Sequence, residues 1–503
     1  MGFRVAKFGT GHHGRHGDRY LLIIALRSIR MDLKAPPTLL QLAAQSTVKK
    51  EVLTISVLEY LPRELFPTLF KEADTQRKAK MIKILVEYWP YPCLLVRLLI
   101  DKPNLEIFQA ILDGVGTWLK RKYRPRMGKL EVVDLRNGHL DSWDLQAGRE
   151  GGGAQSETVP EKQVMEGHSN RRRLRVFCDL SFKSSKHEDK HQTHLLRWAK
   201  DREDFLHLCC KKLEIGALEV SKVKKELKFL QPEFIKELEL NTVGNLSKLA
   251  KLVPCISKMR NLHKLMLVRI FERTYTPSEK NVSKIISLFP ELRYLQNLTI
   301  GDVYFLKDHM NELLRCLVAP LVSLTITLCQ ISQSDLESFA QRWNYGQLKH
   351  LCLKGVSLTA LNVTPLKFFL ESVANTLQTL ELEGCRMSDS HLSILQPALT
   401  QCTQLTSFNF YDNNISMDAL KDLLRHTVKL SQLTMELYPA PVEVYNEWGY
   451  VQVETFSQLC AELMDTLVAV RQPKSICFGT YSCYDCDTRC IYEKKATFCE
   501  CLE

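Results

Sequence analysis

The residues best suited to chemistry stand together near the C-terminal end, in CFGTYSCYDCDTRCIYEKKATFCECLE. Cys483 and Cys486 form a CxxC, and Cys499 and Cys501 form a CxC after an intervening stretch of twelve residues. Four thiolates in two close pairs match the ligand set of a tetrahedral zinc site. The second pair is tighter than a CxxC knuckle, and free thiols are the competing reading. The chain has seventeen cysteines, an odd number. Cys329 and Cys385 fall at matching places of a repeated frame, where a free thiol behaves as a small hydrophobe. That use fits a reducing compartment and disfavours disulfides. His187, His191 and His194 form another group of potential ligands, although a solvated loop or helix face explains them more simply.

No pattern for bond chemistry accompanies these groups. The chain lacks GxxxxGK[ST], HExxH and GxSxG, so the sequence argues against an enzyme. The balance is basic, 68 Lys and Arg against 57 Asp and Glu, but the excess is spread along the chain. Binding of nucleic acid calls for a basic stripe interleaved with aromatics, which is missing. LLIIAL, near residue 21, is shorter than a signal-peptide core, and no apolar run reaches the ~18 residues of a membrane helix. The expected location is therefore the cytoplasm, the nucleus or both, with no membrane partner. The five N-x-S/T sequons carry no meaning outside a secretory route.

The elements that must position any site are set by a repeat. LKHLCLKGVSL, LQTLELEGCRM and LTSFNFYDNNI begin at Leu348, Leu377 and Leu405. Amphipathic stretches such as LKFFLESVAN separate them. A short strand followed by a helix at such a period is the signature of leucine-rich repeats. Further frames open at Leu130, Cys210, Ile235, Leu262, Leu295, Leu321 and Leu430, and ICFGT at Ile476 reads as a last strand. In each LxxLxL the fourth and sixth residues enter the core and those between them face outward. The expected fold is α/β: a leucine-rich repeat solenoid, a horseshoe similar in period to ribonuclease-inhibitor arrays, with a helical N-terminal cap.

The expected organisation follows. Residues 1–30 read as a disordered extension, with Met31 a candidate alternative start. Residues 31–129 form a helical module, 130–480 the solenoid with a polar disordered insertion at 145–172, and 481–503 a Cys-rich tail. Thr38 suits the N-cap of a first helix containing Leu39, Leu42 and Ala43. A second helix is expected from about Lys49 to before Pro62, and Pro62 itself in the first turn of a third. LxxLL occurs at Leu95–Leu99 and at Leu420–Leu424. Exposed, it docks in receptor grooves; in a repeat helix it serves core packing.

TLLQLAAQS, LEYLPRELFPTLF, VEYWPYPCL and KLEVVDLR resemble the PRAME family of mammalian leucine-rich repeat proteins, most closely its rodent PRAME-like and oogenesin group. The resemblance runs from about Met31 to the tail cysteines. It implies a substrate receptor of a cullin 2 RING ubiquitin ligase, binding elongin C, elongin B and cullin 2, and selecting an unidentified protein client for degradation. It also implies roles in repression of transcription, proliferation, differentiation and apoptosis. In such receptors a BC box of the form [STP]LxxxCxxxΦ binds elongin C. Thr38, Leu39 and Ala43 match it, while Thr47 departs from the expected aliphatic residue. The cullin box, ΦPxxΦxxxΦ, is matched by Leu61, Pro62, Leu65 and Leu69. The outward strand residues His350, Lys354, Glu381, Glu383, Asn409 and Tyr411 are the expected client contacts, and their mixed charge suits a protein. The alternative is an interaction protein or corepressor scaffold with no ligase.

Overall fold

A computed structural model describes residues 38–49, 58, 60–120, 130–136, 173–183, 189–217, 219–241, 246–270, 278–341 and 345–502. The expected disordered segments, Met31, His187 and most of the expected second helix lie outside these residues. The chain divides into two compact units. One holds the chain through Leu180 with Ser185–Lys211 and Phe229–Gln231. The other holds Ser181–Ser184, Lys212–Lys228 and Pro232–Glu503.

In the first unit, helices α1 (Leu39–Lys49), α2 (Leu65–Thr75), α3 (Ala79–Glu87) and α4 (Leu105–Lys120) pack in succession. Pro62 lies three residues before α2, and its carbonyl accepts from Leu65 N at 3.1 Å, so it precedes the helix. Trp89 anchors the core, edge-on to Phe66 at 6.2 Å and Phe70 at 5.7 Å, and its Nε1 donates to Cys93 O at 2.9 Å. Gly114 lets α4 approach α3: a Cβ there would stand 2.6 Å from Lys83 O.

This unit is not purely helical before residue 130. β1 (Cys93–Leu95) pairs in parallel with β2 (Val132–Asp134), and β2 with β3 (Leu174–Phe182). Leu94, Val133 and Val176 align across them. The repeat therefore begins one strand earlier than the frame at Leu130. Arg97 and Leu98 of the first LxxLL are half-buried and Leu99 is buried.

In the second unit, the strands run β4 (Leu206–Ile215, from Lys212), β5 (Glu237–Asn241), β6 (Lys264–Ile270), β7 (Asn297–Val303) and β8 (Ser323–Thr327). They continue with β9 (His350–Cys352), β10 (Thr379–Glu381), β11 (Ser407–Asn409), β12 (Met435–Pro439) and β13 (Ile476–Gly479). Each pairs in parallel with the next, as strands joined through crossover helices must. Leu213, Leu238, Leu265, Leu298, Leu324, Leu351, Leu380 and Phe408 form one buried ladder through the register. This is a leucine-rich repeat solenoid.

The ladder corrects one frame. Phe408 pairs with Glu436, so Glu436 and not Leu433 takes the next core rung, and Met435 is exposed. The frame at Leu430 is displaced by three residues. Glu436 is fully buried and Arg471 makes the place tenable: Nη1 donates to Oε1 at 2.8 Å, Nη2 binds Oε2, and Tyr438 OH donates to Oε2 at 3.0 Å.

The turns after the strands are bonded from one repeat to the next. Asn413 Nδ2 donates to Leu382 O at 2.9 Å and to Phe410 O at 2.9 Å, and its Oδ1 accepts from Met387 N at 2.9 Å. Cys385 holds the equivalent place one repeat earlier, its Sγ donating to Leu353 O at 3.1 Å, and Cys329 Sγ reaches Thr327 O at 3.3 Å. These cysteines are thus weak donors as well as space-fillers. Leu420, Leu423 and Leu424 are buried, which assigns the second LxxLL to the core.

Candidate functional site

Helix α1 is capped as its sequence predicts. Thr38 Oγ1 accepts from Gln41 N at 3.2 Å, and Gln41 Oε1 accepts from Thr38 N at 2.8 Å, a reciprocal cap that satisfies free donors of the first turn. Only Ala44 and Val48 are buried. Leu39 is 86% exposed, Leu40 47% and Leu42 46%, with Ala43 also exposed. The helix is seated by its two small buried residues and presents its leucines to solvent. Thr47 is half-buried, and its hydroxyl donates to Ala43 O at 2.8 Å, so the helix itself satisfies the polar group that replaces an aliphatic.

The residues matching the cullin pattern divide. Pro62 is exposed, and Leu61 and Leu65 are half-buried. Leu69 is 4% exposed, between the buried Phe66 and Phe70, and belongs to the packing of α2.

The outward strand residues also divide. His350 and Lys354 are exposed, and His350 Nδ1 lies 3.1 Å from Thr379 Oγ1. Glu381 is half-buried, with Cys352 Sγ 3.4 Å from its carboxylate. Glu383, also half-buried, is bridged by Lys354 Nζ at 3.0 Å and by Asn409 Nδ2 at 2.8 Å. Tyr411 corrects the expectation of an exposed contact. It is buried beneath Arg489, whose guanidinium lies 4.7 Å from the ring centroid, and burial pushes its phenol well above the usual range. Arg489 also donates to Asp412 Oδ1 at 2.9 Å and to Thr480 O at 3.1 Å. A tail residue far off in sequence thus covers the tyrosine.

Other exposed apolar groups escaped the repeat pattern, which weighs only inward positions. Tyr304 follows β7 and Leu328 follows β8, both exposed; Leu328 has positive φ, 52°. Trp448, 82% exposed, and Tyr450 stand in a turn where Asn446 Oδ1 accepts from both their amides, at 3.0 and 2.9 Å. The Asx turn at Asn446 and Gly449 was the available sequence signal.

The tail brings its cysteines together. Cys483, Cys486 and Cys499 place their Sγ atoms within 4.8 Å of one another. Cys483, Cys501 and a carboxylate oxygen of Asp485 do the same. Of the histidine group, His194 Nε2 is bonded to Gln109 Nε2 at 2.7 Å and His191 Nε2 lies 3.1 Å from Pro103 O, while His187 lies outside the described residues. Among the described residues no helix is long and apolar enough to cross a membrane.

The chain matches the sequence profile of the PRAME N-terminal domain over residues 36–143 and that of the PRAME C-terminal domain over residues 174–501. It is 66% identical over 478 residues to the Preferentially expressed antigen in melanoma-like protein 7 of Mus musculus, covering 94% of this chain and 100% of that relative. It is 42% identical over 476 residues to PRAME family member 12 of Homo sapiens, covering 93% and 98%. Among solved structures, an internalin from Listeria monocytogenes is similar at a TM-score of 0.31 and 17% identity over 53% of this chain and 68% of that one. The leucine-rich repeat-containing protein LegL7 from Legionella pneumophila is similar at a TM-score of 0.29 and 13% identity, over 58% and 99%.

Proposed function

Because the chain belongs to the PRAME family of leucine-rich repeat proteins, we propose that it is a substrate-recognition adaptor of a cullin 2–elongin RING ubiquitin ligase. The observation that carries this reading is the outward face of α1, where Leu39, Leu40 and Leu42 stand exposed beside Ala43 on a capped helix seated from behind. Exposed leucines at helical spacing suit a helix-in-groove contact. Ala43 keeps the face low enough for a partner backbone to approach. Elongin C takes this face, Leu61, Pro62 and Leu65 extend it toward cullin 2, and elongin B follows elongin C. A protein client docks on the outward strand residues, among them His350, Lys354 and Glu381. The chain performs no bond chemistry itself; its role is positioning. Such an assembly places it in the cytoplasm or nucleus.

The test is co-purification of full-length tagged protein from cells. Wild type should carry elongin B, elongin C and cullin 2. Leu39→Asp should lose them at least tenfold with an unchanged melting curve, since Leu39 makes little contact with the fold. Unchanged recovery with Leu39→Asp would end the assignment. A second reading is favoured by Leu69, which packing withdraws from the cullin pattern. On that reading the chain is a scaffold or corepressor without a ligase, and wild type recovers a client but no elongin.

A further inference from the structure

We propose that Cys483, Cys486, Cys499 and Cys501 bind one structural zinc ion that fastens the C-terminal hairpin to the end of the repeat sheet. The site stands apart from the adaptor reading and holds whether or not that reading survives.

The first observation is convergence. The two triads of ligand atoms within 4.8 Å share Cys483, which gathers Cys486 and Cys499 on one side and Cys501 with Asp485 on the other. The four sulfurs therefore cluster around one locality. Zinc–sulfur bonds of about 2.3 Å put sulfurs about 3.8 Å apart in a tetrahedron. The thiols of Cys483, Cys486 and Cys499 thus need to close by no more than about 1 Å, and Cys501, within 4.8 Å of Cys483, is brought in as the fourth ligand by side-chain rotation. A disulfide uses two sulfurs at a time and would leave the gathering of three others about Cys483 unexplained.

The second observation is the backbone. Cys483 N donates to Thr488 O at 2.6 Å and Asp487 N to Cys483 O at 3.0 Å, so the CxxC wraps into a tight turn. Asp487, directly after the second cysteine, has φ of 55°, a left-handed conformation that lets the turn fold back. Between the two cysteine pairs lies a hairpin, β14 (Ile491–Tyr492) and β15 (Ala496–Thr497), antiparallel to each other. The hairpin returns the chain so that Cys499 and Cys501 meet the turn.

The third observation is need. β14 lies antiparallel on β13 and covers the open edge of the parallel ladder, which otherwise offers unpaired backbone groups. Strands of two residues are too short to hold themselves in water. A bound metal supplies the missing cross-link, since ligand binding and folding are one equilibrium in such sites. Asp485 is exposed beside the cluster, and a closed structural site of four thiolates leaves it unliganded.

The experiment uses full-length protein purified under a thiol-specific phosphine reductant. Elemental analysis should return one zinc per chain, released by a mercurial that titrates thiols. Cobalt exchanged into the same protein should show the intense visible bands of tetrahedral thiolate ligation. Cys486→Ser and Cys501→Ser should each lose zinc at least tenfold, while Cys490→Ala, a buried neighbour outside the cluster, should keep it. Removing zinc from wild type should speed amide exchange at Thr480 and Cys490 and leave residues 348–415 unchanged. The proposal falls if wild type, given excess zinc, binds none while all its thiols stay titratable. It falls equally if mass analysis finds a disulfide among the four, if cobalt shows oxygen ligation, or if Cys486→Ser retains full zinc.

Discussion

Arg471→Met should be among the most destabilising single changes in the repeat unit, and the size of the effect follows from where Glu436 sits. Every other aligned rung from Leu213 to Ile476 is apolar, and Glu436 among them has no exposed surface. Two bonds from Arg471 and one from Tyr438 satisfy its carboxylate, while Arg471 Nε also donates to Thr427 Oγ1 at 3.0 Å. Methionine keeps the length of the side chain and removes the cation. Breaking one partner of a buried ion pair costs about 3–5 kcal/mol, because the remaining charge stays buried without compensation. At roughly 2–4 °C per kcal/mol for a unit of this size, the melting point should fall by about 6–20 °C.

The double variant Glu436→Leu with Arg471→Met should recover most of the loss, since a buried pair replaced by apolar residues is often neutral. Urea unfolding followed by circular dichroism measures wild type and both variants. A loss below about 1 kcal/mol would refute the reasoning.

Three further outcomes are expected. Gly114→Val should destabilise the helical layer by about 1–3 kcal/mol in thermal melts, because its Cβ would meet Lys83 O at 2.6 Å and Val86 behind it. Asn413→Ala should cost about 1–3 kcal/mol in urea unfolding, since it strands the carbonyls of Leu382 and Phe410 and the amide of Met387 in the core. Arg489→Ala should expose Tyr411, seen as faster ring nitration, because the guanidinium covers the ring at 4.7 Å from its centroid.

The repeat could be read from the chain because its signal is periodic and local. Each LxxLxL frame carries its own evidence, and nine of the ten agreed with the register. The frame at Leu430 slipped for a physical reason. Leu430, Leu433 and Met435 satisfy the apolar spacing, whereas the true frame places a carboxylate in the core. The group that makes the carboxylate acceptable, Arg471, stands beyond a whole helix (Val453–Val468) and leaves no local trace. The fate of Tyr411 was hidden likewise, because its cover comes from Arg489. β1 escaped because a three-residue strand flanked by leucines has the composition of a helix. In contrast, β3 alternates strictly between inside and outside and could have been found from its own pattern.

The proposed binding face was legible in part, and the division has a cause. A helix of eleven residues is marginal in water by itself, so α1 depends on its cap and its seat. The sequence showed the cap, since Thr38 and Gln41 are neighbours. It also showed a set of apolar residues, but their periodicity could not say which side would be covered. In an ordinary core helix the leucines turn inward and small residues face out. Here the order is reversed: Ala44 and Val48 are buried, and Leu39, Leu40 and Leu42 are not. Each leucine left in water forgoes roughly 1.5–3 kcal/mol of burial. The fold keeps its small residues for itself and leaves that gain unrealised in one contiguous strip. The strip, more than the motif's letters, carries the adaptor reading.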